Sequence, residues 1–140
     1  MKLPDNVEYV EDCDLFIWRP RGVLDESMTN KVLTFVVQQE KTLGRPFDRF
    51  TDMSALERVE LSFRYVFHVA LYRRLSRAGR EEIKSAFFVT DPEMARYVKL
   101  HALVTDHSPL KVAMFQEMEA AADWLGVPRA RLLAQTESHP

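Results

Sequence analysis

The chain has 140 residues, 46% of them apolar and 29% charged, with a net charge of -2. That balance fits one globular domain with a real core, excludes a disordered chain, and gives no pull toward nucleic acid or an anionic membrane surface. A single cysteine, Cys13, excludes an internal disulfide framework, and neither a signal-peptide core nor a run of ~18 apolar residues is seen, so a cytoplasmic protein with no integral membrane segment is expected.

Val7 to Val10 and Asp14 to Arg19 read as two short strands around a turn at Glu11-Asp12-Cys13, and Pro20 ends the second. Asp25 is a good N-cap. Met28, Val32, Phe35, Val36 and Gln39 recur near one face, which predicts a helix from Asp25 to about Thr42, closed by Gly44 and Pro46. Phe47 to Met53 is the next strand, and Ser54 to Val59 reads as a connector. Glu60 to about Ala78 then reads as the longest helix, with Gly79 as its C-cap. Leu61, Tyr65, His68, Tyr72 and Leu75 share one stripe of it, widened by Phe63, Val66, Phe67 and Ala70, so the helix is expected to be covered on more than one side.

Lys84 to Thr90 reads as a central strand buried on both faces. Asp91 and Pro92 open a helix that runs to about Thr105, with Met94, Val98, His101 and Ala102 on one face. Leu110 to Gln116 is the last strand, Glu117 to Leu125 the closing helix before Gly126, and Thr136 to Pro140 a frayed tail. The strand-to-cap-to-helix handover recurs at Asp52, Asp91 and Glu117. It predicts a single α/β domain over residues 1–140, its core from 6 to 127, in which function sits at the strand carboxyl ends.

This order of elements resembles STAS-type domains. The segments Arg49 to Ser54, Ser85 to Pro92 and Val112 to Leu125 resemble the SpoIIAA-like bacterial proteins, including a closing pattern that carries Phe115, Ala121, Trp124 and Leu125. The resemblance implies a mixed, mostly parallel sheet of about five strands packed by four or five helices. It also implies a non-enzymatic regulatory or protein-interaction module, partnered by another protein or by a second copy in a homodimer. STAS anti-sigma-factor antagonists carry Asp-x-Ser and then Asp-Ser-Ser-Gly, where one serine is phosphorylated. Asp52-Met53-Ser54 matches the first segment, whereas Glu60-Leu61-Ser62-Phe63 keeps an acid and one serine but lacks the glycine and the Ser-Ser pair. Ser62 is therefore a weakened candidate phosphoacceptor.

Asp52 and Asp91 stand at corresponding strand ends. Paired carboxylates can do acid/base work when their pKa values are pushed apart, but as N-caps each would add about 1 kcal/mol to its helix, and that is the reading adopted. His68 and His101 lie on apolar stripes without metal-ligand spacing, and read as partly buried core histidines. Arg73, Arg74, Arg77 and Arg80 read as cations placed at their own helix C-terminus, which leaves Arg64 as a candidate anion contact. Cys13 sits among carboxylates that disfavour its thiolate. Ser27 and Asn30 read as surface polar residues, and no phosphate-binding glycine loop or nucleophile elbow is present.

The surface expected to work is thus Asp52, Ser54, Ser62, Arg64, His68 and Asp91, with no catalytic set, metal or cofactor. The alternative is a carrier for a small apolar ligand or lipid, with a pocket beneath the helix expected to start at Glu60.

Overall fold

The computed structural model describes residues 3–76 and 81–133. The chain runs β1 (Val7–Val10), a 3-10 turn, β2 (Leu15–Trp18), β3 (Gly22–Asp25), α1 (Glu26–Leu43), β4 (Asp48–Asp52), β5 (Leu56–Glu60) and α2 (Phe63–Ser76). It continues through β6 (Ile83–Phe88), α3 (Pro92–Val104), β7 (Leu110–Phe115), α4 (Met118–Leu125) and a 3-10 turn at Arg129–Arg131. Gly79 and the segment 136–140, read as a C-cap and a frayed tail, lie outside the described residues, as do Arg77 and Arg80.

The main sheet has the order β1-β2-β4-β6-β7; β1 pairs antiparallel with β2, and every other pairing is parallel. The expected mixed, mostly parallel five-stranded α/β architecture is what forms. Period-2 alternation then assigns the faces. Leu15, Ile17, Phe50 and Ala86 cluster with Ala121, Leu125 and Leu132 under α4. Phe16 points the other way and packs with Val32 and Val36 of α1, and with Phe47. Leu24, Met53 and Val89 meet Met94 and Val98 of α3 at the carboxyl end of the strands.

Helix boundaries follow their caps. The Asp25 carboxylate accepts from the Met28 amide at 2.9 Å, and Gly44, at φ 71, closes α1 in the left-handed conformation that favours glycine.

Three expectations are corrected. The segment read as a connector is β5, which pairs in parallel with β3 as a separate two-stranded sheet. Glu57, Arg58 and Glu60 face solvent there, so the strand carries no apolar alternation to read. Glu60 is therefore a strand residue, and α2 begins at Phe63. Nor is the whole apolar stripe of α2 covered. The helix buries Val66 and Ala70 and packs chiefly against α3, while Phe67 is 43% exposed and Leu75 66% exposed on its outer side.

Candidate functional site

The surface expected from the sequence is at the strand carboxyl ends, and there the side chains hold the fold together. Asp52 is buried and its Oδ2 accepts from Arg19 Nη1 at 3.0 Å, while Oδ1 accepts from the Ser54 amide at 3.0 Å and the Ser54 hydroxyl at 2.7 Å. Arg19 also donates to the Leu132 carbonyl at 2.6 Å, so one guanidinium ties β4 to the end of the described chain. Asp52 thus caps no helix, which corrects that reading, because β5 intervenes before α2. Asp91 is the N-cap it was read to be, accepting from the amides of Glu93 at 2.8 Å and Met94 at 3.3 Å. The parallel register sets Asp52 opposite Phe88, with Asp91 farther along. Ser62 caps α2, its hydroxyl accepting from the Tyr65 amide at 3.0 Å. Ser54, Ser62, Arg64 and His68 are all exposed, so His68 is a surface residue and not the core histidine expected.

The other histidine is buried. His101, in the last turn of α3, is 7% exposed and lines an apolar chamber of about 120 Å³ between α1, α2, α3 and the sheet. Its walls are mainly aliphatic and aromatic, with Leu24, Val59 and Leu61 toward the two-stranded sheet and Val66 and Val69 from α2. Tyr65 donates its hydroxyl to Asn30 Oδ1, pinning α2 to α1 above it. On the other side, Phe63 stacks on Tyr97 of α3 with centroids 4.8 Å apart.

Among the described residues three basic side chains, Arg49, Arg73 and His101, line this chamber, and no carboxylate does. Arg49, on the central strand β4, is 9% exposed, and its Nη2 is 2.9 Å from Glu40 Oε2 of α1. Arg73 Nη1 lies 2.9 Å from His101 Nε2. A guanidinium only donates, so Nε2 accepts. Burial, then the positive charges of Arg73 and Arg49, hold the His101 pKa well below 6.5, so the ring is neutral and its proton sits on Nδ1. That Nδ1 is buried with no hydrogen-bond partner among the described residues, an arrangement that costs about 1–3 kcal/mol when left unmet.

Arg73 and Arg74 lie in the last turn of α2, as read, and they also reach beyond it. Arg73 reaches His101, and Arg74 donates to the carbonyls of Val104, at 3.1 Å, and Asp106 beyond α3. Arg49 was absent from the sequence-derived site. The available signal is an arginine whose parity in a central strand sets it on the face opposite Phe50, toward α1.

Comparison with solved structures decides the fold type. An uncharacterised DUF3478-family protein from Shewanella loihica PV-4, described as having a SpoIIAA-like fold, superposes with a TM-score of 0.53 at 15% identity, over 85% of this chain and 90% of that one. The fold is SpoIIAA-like. No family model matches the chain, and no curated protein does.

In this SpoIIAA-like fold the helices that follow parallel strands run back antiparallel to them. The final turns of α2 and α3 therefore bring Arg73 and His101 to the amino end of the strands, beside Arg49. The polar end of the chamber is opposite the edge where α/β sheets usually hold ligands. The described residues contain no group of three or more metal-ligating side chains that could hold an ion, and no helix among them is long and apolar enough to cross a membrane.

Proposed function

We propose that this chain is a non-enzymatic binding module for a small ligand with an apolar body, held in the chamber beneath α2. The single observation that carries the reading is the chamber itself. An apolar cavity of about 150 Å³ in another protein stays dry and takes up benzene, so 120 Å³ suits a ring-sized or six-carbon group. The roof suits entry, because α2 packs chiefly against α3 and its outer face is not covered. A binding role fits better than catalysis. Among the described residues His101 is the only imidazole lining the chamber, and its lone-pair nitrogen is committed to Arg73, which leaves no free base among them.

The test is a two-dimensional NMR titration with 1-hexanol, a probe of the right size. Saturable shifts confined to residues lining the chamber, such as Val66, Val69 and Val98, are expected. Shifts scattered over the surface, or none at all, would sink the reading.

A second reading, a regulatory module that docks on a protein partner, is favoured by the exposed apolar side of α2, where Phe63, Phe67, Leu71, Tyr72 and Leu75 face outward. In its simplest form the partner is a second copy of this chain. Sedimentation across a range of concentrations tests it, and a monomer throughout would count against the homodimer.

A further inference from the structure

We infer that β7 is an interaction edge whose occupant is a second copy of this chain, paired antiparallel across a two-fold axis at Ala113. The inference is independent of the chamber. It gives the homodimer of the second reading a surface other than the outer side of α2.

β7 ends the main sheet, and two backbone bonds fix its phase. The Ile83 amide donates to the Pro109 carbonyl and the Val89 amide to the Phe115 carbonyl, both at 2.9 Å. In a parallel ladder alternate residues serve the same neighbour, so Lys111, Ala113 and Phe115 turn their backbone groups toward β6. Leu110, Val112 and Met114 turn theirs outward. The Leu110 amide is met by Ser108 Oγ at 3.2 Å. The amides and carbonyls of Val112 and Met114 have no partner among the described residues.

Sheet edges are ordinarily blunted by shortness, proline, bulges or charge. β1, the opposite edge, has four residues, includes Glu8 and runs into a 3-10 turn. β7 has six residues in unbroken register, Leu-Lys-Val-Ala-Met-Phe, with one charge and no proline. Beside its first half lies a concavity of about 330 Å³, flanked by Ala102 of α3 and Trp124 of α4. An added strand fits such a groove.

The register selects the occupant. With the axis at Ala113, Val112 of each copy opposes Met114 of the other, and each pair exchanges amide-to-carbonyl bonds in both directions. Ala113 meets Ala113 of the other copy in the closely spaced, non-bonded position, where the smallest side chain of the strand fits best. Lys111 opposes Phe115 and not another lysine. Its diagonal neighbour is Glu117, whose backbone is also extended at φ -134 and ψ 136. No ion pair among the described residues engages Lys111 or Glu117. The two charges therefore complement each other on both sides of the axis.

The experiment is sedimentation of the wild-type chain from low to high micromolar concentration, with amide hydrogen exchange at both ends of that range. A dimer is expected in which the Val112 and Met114 amides exchange at least about tenfold more slowly, while those of Ala113 and Phe115 change little. Lys111→Glu and Glu117→Lys should each raise the dimer dissociation constant about tenfold, and the double reversal should restore it. Should a reversal fail to fold, exchange in the wild-type chain decides alone. A dimer that Phe67→Glu dissolves, with the Val112 and Met114 amides as fast as in the monomer, overturns the β7 edge and leaves the second reading standing. A monomer at every concentration overturns both dimers and leaves the chamber reading untouched.

Discussion

Arg73 and His101 face each other across the α2–α3 seam with 2.9 Å between Nη1 and Nε2, and burial together with this contact makes a neutral imidazole a titrating element of stability. Burial comes first, and the Arg73 and Arg49 charges second and third, in lowering its pKa well below 6.5. The unfolded chain takes up a proton near its ordinary value while the native chain resists it. The stability contribution is therefore complete above about pH 6.5 and declines as pH falls through that value, by up to about 1.4 kcal/mol per unit, until the folded pKa is reached. Urea unfolding at about pH 7.5 and about pH 5.5 should show a loss in wild type that His101→Gln reduces. Equal slopes would refute a neutral His101.

Arg19 links Asp52 to the Leu132 carbonyl, with the two charged side chains only 18% and 11% exposed. Arg19→Met keeps the apolar stem and removes both bonds, and should cost about 2 kcal/mol. A double-mutant cycle with Asp52→Asn should give a coupling energy of at least about 0.5 kcal/mol. Full additivity would mean that the ion pair contributes nothing.

Ser62 and Asp91 are both N-caps, and Ser62→Ala and Asp91→Ala should each lower stability by about 1 kcal/mol. Asp52→Ala should act differently, loosening the β4–Leu132 tie and leaving α2 intact. Hydrogen exchange distinguishes them: faster exchange in the first turn of α2 is expected for the Ser62 variant and not for the Asp52 variant.

Val66 points from α2 into the chamber and is 7% exposed. Val66→Phe should fill the space, raise stability by about 1 kcal/mol, and abolish hexanol uptake. A variant that still binds hexanol at wild-type affinity would place the guest elsewhere.

Phe67 is 43% exposed on the outer side of α2, so Phe67→Glu should alter stability by no more than about 0.5 kcal/mol. The same substitution should leave hexanol binding intact and abolish any self-association through that side. Loss of hexanol binding would show that the two faces of α2 are coupled.

The two histidines show how far a single sequence reaches. Both lie on apolar helical stripes and read alike, yet His101 is buried and His68 exposed. Periodicity locates an apolar face but does not say which side of a helix apolar all round meets the core. In α2 the outward side keeps Phe67 and Leu75 in solvent, and only the placement of α3 decides that. Similarly, Asp52 and Asp91 end equivalent strands, but β5 intervenes after one and a helix follows the other directly.

What the sequence by itself determined is the repeated strand-to-helix order, the caps at Asp25 and Asp91, the glycine stops at Gly44 and Gly126, and hence a mostly parallel α/β architecture. These are local properties: a short side chain near an orphan amide, or a residue free to take positive φ, acts within one turn of the chain. The tertiary structure alone decided the site. Arg49, Arg73 and His101 lie on three separate elements, and nothing within any one segment joins them. They become one cluster only because two returning helices end beside the amino end of a central strand, in an interior dry enough to keep a histidine neutral.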